Sequence, residues 1–91
     1  MKFKVYEVRA IRVEEKDDDE QSFLYAEYDD AVVKFKELVD AEKQVDWIEE
    51  GLASDDKRYA LFESVDFWGF YAEDLWNDWR SEVTIIEREV F

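Results

Sequence analysis

The sequence predicts an α+β fold in which a four-stranded antiparallel sheet carries one main helix packed on one face. Three observations predict it. Four segments rich in β-branched and aromatic residues are set apart by polar stretches. Between the second and third of them, apolar residues recur at spacings of three and four, the mark of an amphipathic helix. The resulting order, ββαββ, gives the sheet one helix against which to bury a face. The 91 residues contain no proline and only two glycines, so no flexible linker divides them, and residues 1–91 are read as a single domain. A composition of 47% hydrophobic and 18% aromatic residues supplies a core in spite of 42% charged ones.

Lys2 to Val13 reads as the first strand. Phe3, Val5, Ile11 and Val13 share one parity, and Tyr6, Val8 and Ala10 the other. This change of face fits either a bulge or a strand covered on both sides. Glu14 to Gln21 (EEKDDDEQ) reads as a polar connector and Ser22 to Tyr28 as a second strand, making a hairpin with an acidic tip. Asp29 or Asp30 is suited to cap the following helix by accepting bonds from its free amides, and Tyr28 to staple onto its first turn. Ala31, Val32, Phe35, Leu38 and Val39 form the apolar stripe, which extends through Ala41, Val45, Ile48 and Leu52. The expectation is one long helix from Asp30 to Glu50, ended by Gly51 in the left-handed conformation. Its rival is a shorter helix followed by a strand at Val45 to Ile48. Arg58 to Val65 reads as the third strand and Glu82 to Val90 as the last. Asp66 to Trp79 (DFWGFYAEDLWNDW) reads as irregular, or as holding a short helix near 72–79.

The chain carries 26 Asp and Glu against 12 Lys and Arg, with no histidine and no cysteine, for a formal charge of -14. Such a field repels nucleic acid and anionic membrane and attracts basic protein surfaces. Without cysteine there is no disulfide framework, thiolate zinc site or thiol nucleophile. Without histidine there is no imidazole base. Ser22, Ser54, Ser64 and Ser81 lack a glycine-flanked elbow, and no glycine-rich loop is present to cradle phosphate. The chain is therefore read as not an enzyme, with no catalytic residue and no cofactor. No metal is expected either, because Asp17 to Glu20 lacks the alternating ligands, central glycine and closing glutamate of a calcium loop. The N-terminus has no apolar signal core, and no apolar run is of membrane-spanning length, so the expected location is cytoplasmic. The first strand departs from the general acidity. Lys2, Lys4, Arg9 and Arg12 stand there against Glu7, placed to neutralise acidic neighbours in the sheet.

Three groups are candidates for contact with a partner. The first is Asp17, Asp18, Asp19 and Glu20. The second is Glu42, Asp46, Glu49 and Glu50, whose helical spacings put carboxylates about 5–6 Å apart, close to the separation of phosphates along a nucleic-acid strand. The third is Asp74, Trp76, Asp78 and Trp79, within the cluster Phe67, Trp68, Phe70, Tyr71, Trp76 and Trp79. Each has a plainer reading beside it. The acids are also what a solvated surface carries, and the aromatics are either core or a partly exposed anchor patch.

In its length, its lack of cysteine and histidine, the run EEKDDDE and the acidic aromatic segment DFWGFYAEDLWNDW, the chain resembles the small acidic proteins with which bacteriophages and mobile elements block host defences. That class includes anti-restriction and anti-CRISPR proteins, several of them nucleic-acid mimics. The resemblance implies an inhibitor that occupies the basic groove of a nuclease or other nucleic-acid-binding protein of a bacterial host, without itself touching nucleic acid or membrane. The alternative is a small protein–protein interaction module that uses a sheet edge or the aromatic patch. Such a module is open to self-association as a homodimer, with acidity serving solubility.

Overall fold

Strand β1 (Phe3–Glu14) lies inside a five-stranded sheet, paired on one side with β2 (Asp17–Tyr25) and on the other with β5 (Trp79–Val90). Strands β4 (Gly69–Asp74) and β3 (Tyr59–Ser64) complete the order β2-β1-β5-β4-β3, antiparallel throughout. This is the arrangement of the computed structural model, which describes residues 3–15, 17–64 and 69–90. Two helices, α1 (Tyr28–Glu42) and α2 (Asp46–Leu52), follow β2. Both cover the same face. Ala31, Phe35 and Val39 of α1 and Trp47 and Ile48 of α2 share one core with Val8, Ala10, Phe70, Ala72 and Val83 of the sheet.

The register explains which strand residues enter that core. Val8 stands opposite Phe23 and Ile85, Ala10 opposite Val83, and Val83 opposite Phe70, so one parity of four strands faces the helices. Phe35 and Ile48 are almost wholly buried, each contributing about 2–3 kcal/mol of apolar burial. Truncating Phe35 to alanine would cost about 3–5 kcal/mol.

The antiparallel sheet under helix is as expected from the sequence, but there is one more strand and one more helix. The additional strand, β4, falls in the segment read as irregular or as a short helix. Phe70, Ala72 and Asp74 point inward at a period of two, but one of the three is a carboxylate, which hides the alternation. The turn after it, residues 75–78, contains no glycine or proline, and Asp78 takes the left-handed conformation (φ 58°) in a glycine's place. The acidic run is likewise strand, where a connector was expected. Asp18 pairs with Val13, Asp19 with Arg12 and Glu20 with Ile11, and the turn between β1 and β2 includes Glu15 at φ 39°.

The single helix from Asp30 to Glu50 is not formed, nor is a strand at Val45 to Ile48. The helix stops at Glu42, Val45 is extended (φ -67°, ψ 132°), and α2 starts afresh. At about 100° per residue, a continuous helix would turn Ile48 about 180° away from Val39, out of the core. Breaking the helix at 43–45 returns Trp47 and Ile48 to the sheet. Neither Asp29 nor Asp30 caps α1. Glu27 occupies the cap position without a side-chain bond, and the two aspartates lie in the first turn, where they favour the positive end of the helix dipole. Tyr28 packs edge-on against Tyr6 of β1, with ring centroids 5.4 Å apart. Gly51 is helical and does not adopt a positive φ. What demands glycine there is the ring of Tyr59, 3.0 Å from where a Cβ would stand.

No bulge interrupts β1. Its pairing runs unbroken from Tyr6 to Glu14 with β2 and from Phe3 to Val13 with β5. Val5, Ile11 and Val13 therefore lie on the sheet face opposite the helices.

Candidate functional site

The charge of the first strand is spent within the sheet. Lys4 meets Glu87 at 3.0 Å, Arg9 meets Glu7 and Glu20, and Arg12 meets Glu14 and Glu42 at 3.0 and 3.2 Å. The helical half of the chain is different. Residues 27–57 contain eleven carboxylates and four lysines. Glu37 pairs with Lys34, and Glu42 with Arg12. The other nine (Glu27, Asp29, Asp30, Asp40, Asp46, Glu49, Glu50, Asp55 and Asp56) are exposed and make no ion pair with a described cation. The helices thus turn apolar residues to the sheet and present an uncompensated anionic surface to solvent.

The acidic candidates divide. Asp46, Glu49 and Glu50 are exposed on α2 at spacings of three and four, so their carboxylates sit side by side. Glu42 does not join them. It ends α1, ahead of the break, and lies half-buried beside Arg12, Glu14 and Asp19. Burial pushes its carboxyl above the ordinary value, and Glu14 and Asp19 push it the same way against the opposing pull of Arg12. Arg12, Asp19, Gln21 and Glu42 form the polar lining of a cavity of about 300 Å³ between α1 and the β1–β2 hairpin, whose apolar lining is Ala10, Leu38 and Ala41. Asp17 opens β2, and Asp18, Asp19 and Glu20 are exposed along this edge strand, where charge discourages another strand from pairing.

The aromatic candidates divide as well. Phe67 and Trp68 lie outside the described residues. Phe70 is core, Tyr71 donates its hydroxyl to Glu73 at 2.8 Å, and Trp79 packs beside Trp47 with ring centroids 6.1 Å apart. Trp76 is 73% exposed and its neighbour Leu75 56%, in the turn between β4 and β5. Asp78 is exposed in the same turn.

Asp74, read from the sequence as a surface contact, is wholly buried and organises that turn. Its carboxylate accepts from Arg58 Nε at 3.3 Å and a second guanidinium nitrogen at 2.8 Å, from Asn77 Nδ2 at 2.9 Å, and from the backbone amides of Trp76 and Asn77. These donors, Arg58 first, hold its pKa down to about 2. A carboxylate at the end of an inward-facing run serves here as the acceptor for a turn whose amides have no strand partner. Arg58 was not singled out from the sequence, since nothing local links it to a residue sixteen positions away. It also lies over the Trp76 ring at 4.6 Å and the Tyr59 ring at 4.9 Å. The exposed indole is therefore held in one position before any partner arrives, which lowers the ordering cost of using it as an anchor.

No family model matches the chain, and no curated protein or solved structure is similar to it. Among the described residues no helix is long and apolar enough to cross a membrane, and no cluster of three or more Asp and Glu is arranged to hold a metal ion.

Proposed function

We propose that the protein is an inhibitor that seats its acidic helical side in the basic groove of a nucleic-acid-binding protein, in place of the nucleic acid. The observation that carries this reading is the set of nine exposed carboxylates on residues 27–57 that no described cation neutralises. A rigid two-layer domain holds them in fixed positions, so their field adds over the whole side. Long-range attraction brings such a surface to a basic channel quickly, and the contact weakens as salt rises. Like charges crowded on one surface destabilise the free protein, and a cationic groove relieves that repulsion on binding. Charge alone selects poorly among basic proteins. The exposed and braced Trp76, with Leu75 beside it, offers an apolar anchor of the kind that dominates interface energetics.

The test is competitive capture. The immobilised protein is exposed to a bacterial lysate at low salt, and bound proteins are eluted first with duplex DNA or structured RNA and then with salt. The expected result is enrichment of nucleic-acid-binding proteins that the polyanion displaces. The triple substitution Asp46→Asn, Glu49→Gln and Glu50→Gln should weaken that capture while leaving the fold intact. Retention that neither polyanion nor salt disturbs would overturn the proposal. It would favour an interaction module built on the Trp76 turn, for which the exposure of Trp76 and Leu75 is the supporting observation.

A further inference from the structure

The helices cover one face of the sheet, and among the described residues nothing covers the other. An antiparallel sheet with one face in water ordinarily makes that face polar. This one does not. Opposite the helices stand Val5, Ile11 and Val13 of β1, Ile86 of β5, Leu24 of β2 and Phe62 of β3, with Leu24 68% and Phe62 53% exposed. Because β1 has no bulge, its two apolar parities are the pattern of a strand covered on both sides, with only one cover present among the described residues.

We propose that this bare face is covered by a second copy of the chain, two sheets stacking face to face about a two-fold axis. Charge selects the occupant. At the centre of the face Glu7 is buried under its own partners: Arg88 Nε at 2.7 Å, the Ser22 hydroxyl at 2.7 Å and the Arg9 guanidinium at 3.2 Å. Around this cluster Arg80 and Arg88 are exposed, with Glu20, Glu73 and Glu82 in reach of the same face. Arg9, Arg80 and Arg88 stand on this face against Glu7, Asp18, Glu20, Glu73 and Glu82, so both signs are present and the face can meet its own two-fold image with arginine set against glutamate. A strongly basic partner is drawn instead to the helical side. Nucleic acid is repelled by a chain of charge -14. Two copies of that charge can approach best where cations stand among the carboxylates, as Arg9 and Arg88 do beside Glu7 and Glu20 here.

The dimensions agree. The molecule is flat, 50 × 26 × 17 Å, with a radius of gyration of 14.4 Å, where about 12 Å is usual for this length. It exposes 6375 Å², against about 5600 Å² for a compact monomer of its mass. The excess is close to the roughly 800 Å² that each partner contributes to a standard interface. Stacked sheets sit about 10 Å apart with their strands about 30° from parallel, which places the helical sides outward on both copies.

Sedimentation equilibrium over a range of concentration and salt tests this. The wild type should run at twice the 11.0 kDa chain mass, and its association should strengthen as salt screens the copies from each other. Ile86→Lys and Leu24→Lys each place an ammonium beside Glu7 on the bare face and make the net charge less negative, so any loss of association cannot come from a larger overall charge on the two copies. Each should weaken dimerisation at least about tenfold with unchanged circular dichroism. Val33→Lys, on the exposed side of α1, should leave it unchanged. A wild type that remains at single-chain mass in high salt at the highest attainable concentration would overturn the proposal. So would association that survives both bare-face substitutions.

Discussion

Replacing Asp74 by alanine should unfold the β4–β5 turn and cost the domain about 3 kcal/mol. The side chain is wholly buried and accepts five hydrogen bonds, two of them from the Arg58 guanidinium. Breaking a buried ion pair by removing one partner typically costs about 3–5 kcal/mol, because the survivor is left buried and unpaired. Arg58 is less trapped than that. Its side chain is 22% exposed, and the orphaned amides of Trp76 and Asn77 lie in a surface turn, so water can reach them. The lower end of the range follows. In a domain of this size it corresponds to a fall in Tm of roughly 12–24 °C. Asp74→Asn keeps the shape and one acceptor oxygen but loses the charge, and about 2 kcal/mol is expected. Urea denaturation followed by far-ultraviolet circular dichroism measures both, and Arg58→Met with the double variant gives the coupling of the pair. A melting curve for Asp74→Ala within about 0.5 kcal/mol of wild type would refute the assignment of Asp74 as the acceptor that holds the turn.

Four further outcomes follow from the same structure. Asp74 and Glu7 are both held down to about 2 in the folded protein, by Arg58 in the first case and by Ser22 and Arg88 in the second, below their ordinary values of 3.8 and 4.5. A carboxyl lowered by folding contributes stability that is complete above its unfolded value and disappears as pH falls through its folded one, so an acid titration of Tm should drop between about pH 4.5 and 2. Glu42, raised by burial, acts in the opposite sense: it adds stability as pH falls through its folded value, so Glu42→Gln should remove that gain and make stability fall more steeply from neutral into acid pH. Ser81 is fully buried and its hydroxyl meets no partner among the described residues, so Ser81→Ala should raise stability by about 1 kcal/mol, read as a Tm increase of about 4–8 °C. Gly51→Ala gains about 1 kcal/mol of helix propensity but sets a Cβ 3.0 and 3.1 Å from Tyr59 Cδ1 and Cγ, and the overpacking should leave it about 1 kcal/mol less stable by urea titration.

Periodicity made the broad architecture legible. The β-branched runs of β1 and β5 and the spacing of Ala31, Phe35 and Val39 announce strand and helix directly. What stayed hidden depended on contacts distant in sequence. Asp74 disguises β4 because its burial makes sense only once Arg58 arrives from the far side of β3. The β1–β2 and β4–β5 turns lack glycine, so they send no local signal, and Glu15 and Asp78 bear the left-handed conformation instead. The helix break reads poorly because Val45 and Ile48 continue an apolar pattern, whereas the angle between Val39 and Ile48 decides that one straight rod cannot bury both. Asp18 to Glu20 look like loop until Arg12 and Arg9 are seen beside them across the hairpin.

The two proposed contacts fall on opposite sides of this domain, and the division follows from where the cations lie. Arginines of β1 and β5 stand on the bare face, where Glu7 is boxed in by Arg9 and Arg88. The four lysines of residues 27–57 are too few for the eleven acids beside them. A chain with its charges mixed evenly could neither meet itself nor hold a coherent field. Separating them allows both at once. Stacking through the bare face leaves each helical side free and turned outward, so the assembly would present two equivalent anionic surfaces. A partner with two basic grooves would then be held through the higher local concentration of the second site, with no new contact required.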